Sequence, residues 1–191
     1  MLEQASAAVN REGWQKVRFG DIAVKLNENV DPVEDGIERY VAGEHMVTDQ
    51  SKINEWGTVG DSYLGPAFHR KFSKGDILYG SRRTYLRKVA VADFDGVCSN
   101  TTFVVTPNPD LIVPELLYWI MKTDNFNKFS IANSRGSTNP YINWSQLVDF
   151  ELSLPPIEKQ KEIAELLWEA ENRIKNADDK IERFKETRIV L

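Results

Sequence analysis

The last 35 residues, Ile157 to Leu191, contain neither Gly nor Pro, and that uninterrupted run restricts the possible folds more than any other feature of the chain. It follows LPPI, where Pro155 and Pro156 end the preceding element; Pro156 can open a helix, and Glu158 suits the positive end of the helix dipole. A helix of that length spans about 50 Å. Its apolar positions alternate at spacings of four and three: Ile163, Leu167, Ala170, Ile174, Ala177, Ile181 and Phe184, then Leu191 after a break at Arg188. Leu167, Ile174 and Ile181 fall at position a of a heptad and the others at d. A seam so narrow wants another helix, and Glu171, Arg173, Asp178, Lys180 and Lys185 beside it favour a coiled coil with a second chain. An amphipathic helix lying on its own domain is the alternative.

The chain before the prolines has a different texture. IERYV, DILYG, LRKVAVA, TTFVV and FELSL are short β-branched or alternating runs and predict strands. PELLYWIMKT, with Pro114 at a first helical position, predicts a helix, and WSQLV predicts a shorter one capped by Asn143. The expectation is an α+β domain with a mixed sheet over residues 14–154, after a lead-in over residues 1–13 and before a long helix over residues 155–191. Loops rich in turn residues cover 27–36, 55–66 and 133–140, and long polar loops on a sheet scaffold are where recognition resides.

Charge is unevenly distributed. The net formal charge is -5, yet FHRKFSKGDILYGSRRTYLRK, residues 68–88, carries seven basic side chains and one acidic. Residues 1–67 carry 12 acidic and 6 basic, and residues 89–121 carry four acidic and none basic. Salt screens charges beyond about 10 Å, so a partner feels the local field rather than the sum. Arg70, Lys71, Lys74, Arg82, Arg83, Arg87 and Lys88, with Tyr85 among them, are suited to a polyanion. Arg82, Arg83, Asn139 and Gln50 are of the types that fork guanine or adenine edges, while Lys71, Lys74 and Lys88 suit a phosphate backbone. A solvated face paired with the acidic N-terminal third is the alternative. In NSRGSTNPYINW, Ser134, Arg135, Ser137, Thr138, Asn139 and Tyr141 surround Gly136 and can offer donors to phosphate; a turn leading into a helix cap fits the same residues.

Other chemistry finds little support. Cys98 is the single cysteine, which excludes an intrachain disulfide and multi-cysteine zinc sites, and His45 and His69 lack ligand spacing. No apolar run is long enough for a membrane span and the first residues lack a secretory pattern, so a cytoplasmic location is expected. Asp93 and Asp95 in ADFDG look like a hairpin turn closed by Gly96 rather than a nuclease metal site.

YLGPAFHRKFSKGDILYGSRRTYLRKVAVADFDGVCSNTTFVV, PELLYWIM, SRGSTNPYINW and LPPIEKQKEIAELL, in that order, resemble one target-recognition domain of the specificity subunit of Type I restriction-modification systems. The resemblance implies a non-catalytic reader of one half of a split target in double-stranded DNA. Its partners would be methylation subunits docked along the helix and, through the complex, a restriction and translocation subunit; S-adenosylmethionine, ATP and Mg2+ would belong to those partners. The matching positions are the basic block Arg70, Lys71, Arg82, Arg83, Tyr85, Arg87 and Lys88 and the loop Ser134 to Tyr141. Two departures stand out: one set of blocks occurs where a full subunit has two, and Lys159-Gln160 replaces the usual Glu-Gln pair. The chain would then be a half-size subunit or a fragment of a two-domain one; a half-size subunit would restore two domains by pairing as an antiparallel homodimer through the final helix.

Two other functions fit parts of the chain. A coiled-coil adaptor with a basic patch would use the seam but leave the four blocks unexplained. A free-standing adenine methyltransferase would use NPY at Asn139–Tyr141, but no GxG loop for a nucleotide cofactor occurs.

Overall fold

A computed structural model describes residues 11–61 and 63–189, without the side chains at positions 182, 186, 188 and 189. Most of the expected lead-in, and Leu191 of the seam, lie outside the described residues. In chain order the elements are β1 (Gln15–Arg18), α1 (Phe19–Ile22), β2 (Ala23–Leu26), β3 (Arg39–Val41), β4 (Gly57–Thr58), β5 (Phe68–Phe72), β6 (Ile77–Gly80), β7 (Val89–Val91), β8 (Gly96–Ser99) and β9 (Thr102–Pro107). Then follow α2 (Pro114–Lys122), α3 (Asp124–Ala132), α4 (Trp144–Leu147), β10 (Glu151–Leu154) and α5 (Ile157–Ile189). One turn of 3-10 helix, Thr84–Leu86, interrupts the β6–β7 connection.

The strands form two four-stranded sheets, ordered β2-β9-β6-β7 and β4-β3-β8-β5, and a two-stranded ribbon, β1-β10. All pairings are antiparallel except β3 with β8. This is the mixed α+β architecture followed by a long helix that the patterning implied. β6 shows why DILYG is almost wholly apolar: alternate side chains enter different cores, because residues i and i+2 of a strand share a face. Leu78 joins Val41, Phe72, Cys98 and Val104 in one cluster, while Ile77 and Tyr79 join Phe19, Leu117 and Phe126 of the helical side in another. Burial pushes the Cys98 thiol up to about 12, which leaves it an inert core residue. Asp93 and Asp95 do lie between strands, but β7 and β8 belong to different sheets, so the expected hairpin is a crossover instead.

α5 divides into two stretches. Its start is stapled to the domain by Gln160, only 1% exposed, whose Oε1 accepts from Val113 N–H at 3.0 Å. The Gln160 Nε2 donates to the carbonyls of Leu111 at 3.0 Å and Pro155 at 2.9 Å. About two turns further, Trp168 stacks on Tyr118 and donates to the Glu115 carbonyl at 3.0 Å. Ile163 and Leu167 pack against the same core, so the first heptad positions serve the intramolecular contact rather than a second helix. Beyond Glu171 every described side chain is exposed, including Ile174 at 63% and Phe184 at 70%. The alternative of a helix lying on its own domain therefore holds for the first half, while the apolar positions of the second half are left uncovered.

Candidate functional site

The last part of the basic segment, residues 81–87, is the loop of the β6–β7 hairpin. Gly80 N–H donates to the Lys88 carbonyl at 2.9 Å, closing the loop over residues 81–87. At its entry Ser81 donates through N–H and Oγ to the Thr101 carbonyl, at 3.0 and 2.6 Å. Arg83 and Arg87 take left-handed backbone conformations on either side of the one-turn helix, with φ of 48° and 50°.

The loop over residues 133–142 meets it directly. Arg135 and Tyr141 exchange main-chain bonds of 2.8 and 2.9 Å, and Gly136 follows Arg135 with φ of 91°, a conformation open to glycine at little cost. On the other edge of Tyr141, Arg83 N–H donates to the Pro140 carbonyl at 2.6 Å and Ile142 N–H to the Ser81 carbonyl at 3.0 Å. Residues 81–83, 140–142 and 135 thus form a miniature three-stranded ribbon. The Arg82 guanidinium lies 6.0 Å over the Tyr141 ring. Underneath, Ser134 Oγ donates to the Ser130 carbonyl at 2.8 Å and Thr84 Oγ1 sits 3.1 Å from Ser134 Oγ.

Two segments singled out separately in the sequence therefore make one surface. Arg82, Arg83, Tyr85, Arg135, Ser137, Thr138, Asn139 and Tyr141 are all exposed on it. Ser134 is half-buried and holds the loop rather than facing outward.

The remaining basic residues lie elsewhere. Arg70 and Lys71 are on β5, where Arg70 Nη1 donates to Asn27 Oδ1 at 3.3 Å and Lys71 Nζ pairs with Glu28 at 2.7 Å, which raises the lysine's pKa. Lys74 lies in the β5–β6 turn, at the opposite end of β6 from Arg82. Lys88 donates to the Gly43 carbonyl, and burial, with Arg83 nearby, lowers its pKa. Arg87 is turned inward to Asp49 and Asp124, and Gln50 lines a cleft against α5.

Sequence reasoning passed over Lys25, whose ammonium lies 5.4 Å from the Phe103 ring and whose pKa is lowered by burial and by Arg70. It also missed Asn127, which donates to the Thr84 carbonyl at 3.0 Å and supports the one-turn helix. Neither has a motif; their roles come from α3 and β2 packing beside the loops. Among the described residues no group of three or more His, Cys, Asp or Glu side chains is placed to hold a metal ion. Nor is any helix there long and apolar enough to cross a membrane.

The family described as Type I restriction modification DNA specificity domain matches residues 11–184. The EcoDI specificity subunit of Escherichia coli is 27% identical over 150 residues, 78% of this chain and 33% of that protein. The HindI specificity subunit of Haemophilus influenzae is 30% identical over 110 residues, 55% of this chain and 24% of its own length. The chain thus spans a third or less of these relatives. Among solved structures, the HsdS subunit from Thermoanaerobacter tengcongensis superposes with a TM-score of 0.73 over 87% of this chain and 44% of its own, at 23% identity. That likeness establishes the shared fold.

Proposed function

Since the chain belongs to the Type I restriction-modification DNA specificity domain family, we propose that it reads the sequence of double-stranded DNA through the joined loops 81–88 and 133–142. The observation that carries this reading is the ribbon itself. Main-chain bonds fix Arg82 beside Tyr141, so guanidinium groups and the neighbouring Asn139 project from a rigid base. Rigid placement is what base-edge forks require, and a merely solvated basic face has no need of it.

On this reading the chain is a specificity component without catalysis of its own. Methylation subunits, and a restriction and translocation subunit acting through the complex, supply the chemistry together with S-adenosylmethionine, ATP and Mg2+. The exposed half of α5, from Ala170 through Ile174, Ala177, Ile181 and Phe184, pairs antiparallel with a second copy and offers a docking face to the methylation subunits. Arg70, Lys71, Lys74 and Lys88 contribute field or phosphate contacts at the margin rather than base reading. The adaptor alternative accounts for α5 but not for the ribbon.

The test is selection from a pool of random duplexes with the purified chain. A consensus should emerge, and Arg82→Ala or Arg83→Ala should weaken the selected site by about 1 to 3 kcal/mol if the residue forks a guanine. Equal affinity for all sequences would exclude sequence reading.

A further inference from the structure

Three described residues other than glycine hold a positive φ: Asp49 at 61°, Arg83 at 48° and Arg87 at 50°. Such backbone is uncommon for residues with a side chain and persists only where its surroundings fix it. Arg83 and Arg87 bracket the one-turn helix of the recognition loop, and Asp49 is ion-paired to Arg87 across the fold.

The Arg87 guanidinium is engaged from two directions. Nη1 donates to Asp124 Oδ1 at 2.6 Å and Nη2 to the Lys122 carbonyl at 2.7 Å, both at the junction of α2 and α3. Its buried Nε lies 3.3 Å from Asp49 Oδ1 without the alignment of a hydrogen bond. Asp49 Oδ1 is also held by Lys122 Nζ at 2.6 Å, and Thr48 Oγ1 donates to the Leu86 carbonyl at 2.8 Å. Only 29% of the Arg87 side chain is exposed. A guanidinium with two carboxylates and a carbonyl around it has little left to offer a phosphate, and the acids would repel one.

We propose that Arg87 is a positioning residue of the DNA reader rather than a DNA contact. With Asp49 and Asp124 it latches the one-turn helix and so keeps Arg82 and Arg83 in register with the Arg135–Tyr141 ribbon. This rests on the DNA-reading function proposed above. The acid pair also withholds one cation from indiscriminate phosphate binding, which would raise affinity for every sequence alike.

The experiment uses the full chain, a duplex selected from a random pool and an unselected duplex, titrated across salt concentrations. Arg87→Ala should lower the selected-to-unselected affinity ratio about tenfold, the size of one base-edge contact, and leave the salt slope on unselected DNA unchanged. Asp124→Asn, at a carboxylate that is 73% exposed, should lower the ratio in the same direction. In both variants the amides of Arg83, Leu86 and Arg87 should exchange with solvent faster.

If Arg87 instead contacts phosphate, its removal lowers the salt slope by about 0.9, and that result overturns the latch. An unchanged ratio with a uniform loss of affinity overturns it too. Failure of the unaltered protein to select any sequence is a separate result, seen before any variant is made, and it removes the DNA reading together with the latch.

Discussion

Tyr79 and Ser130 form a buried hydroxyl pair, 2.6 Å apart, beneath the loops over residues 81–87 and 133–142. Burial pushes the Tyr79 phenol up to about 12 even though Ser130 favours its ionised form, so it stays neutral at ordinary pH. Ser130→Ala should cost about 1 to 3 kcal/mol in chemical denaturation, because the Tyr79 hydroxyl is left buried without a partner. Asp49 and Asp124 behave differently. The Lys122 ammonium bonded to Asp49, and the Arg87 guanidinium bonded to Asp124, lower the pKa of each acid. Their folded values lie below the unfolded carboxylate range near 3.9. The unfolded state then binds more protons in that window, and stability present above pH about 4 is lost as pH falls through the folded values. An unfolding midpoint followed from about pH 5 downward should therefore fall, and Asp49→Asn with Asp124→Asn should flatten that descent. At this scale the sequence shows residue type but not direction: Arg82 and Arg87 have the same chemistry in GSRRTYLRK, yet one is exposed and the other turned inward. Nothing local marks Asp49 or Asp124 as the acids that capture Arg87, since they meet it only through the fold.

The elements that could be read were those with a strong period or a strong cap. α2 opens at Pro114 as expected, α4 is capped at Asn143 with Gln146 Oε1 accepting from its N–H at 3.1 Å, and α5 begins just after its prolines. β5 escaped because FHRKF is basic and gives no apolar alternation, although its neighbours β8 and residues 28–30 pair with it from both sides. α3 escaped because DNFNKFSIA is polar, with Phe126 and Ser130 buried and Phe129 partly so. The heptad seam is the instructive case: a repeat of seven reports a buried stripe without saying what buries it. Ile163 and Leu167 are covered by their own domain, whereas Ile174, Ile181 and Phe184 are not. Leu167→Ala should accordingly lower folding stability by about 1 to 2 kcal/mol, less than a fully buried leucine costs, and leave association unaffected. Ile174→Asp should do the reverse, abolishing self-association by placing a charge in the seam while the unfolding midpoint of the domain stays put. Thermal unfolding and light scattering on the same two variants separate the roles, and a dimeric Ile174→Asp protein would show that the outer half of α5 is not the interface.

At the scale of the molecule, the surface proposed to read DNA sits on a domain whose long helix becomes exposed beyond Glu171 and continues as an amphipathic rod. About 18 residues of α5 extend beyond that point, or roughly 27 Å at the helical rise. Two copies joined along these rods would hold two identical reading surfaces at a fixed separation, with the gap set by where the rods cross. A closed two-fold pair presents the same contacts in both directions, so its DNA site must be two inverted copies of one half-site. The prediction is a palindromic consensus with an unread gap of constant length. The solution mass should be twice the 21.9 kDa of one chain. Changing the gap by a single base pair should weaken binding more than any substitution within the gap, since it shifts one half-site by about 3.4 Å and rotates it about the duplex axis. Both measurements come from selected duplexes of varied spacing and light scattering of the bound complex. A consensus with unlike halves, or a selected half-site bound by one copy at full affinity, would mean that the rod meets a different partner and that symmetry plays no part in the target.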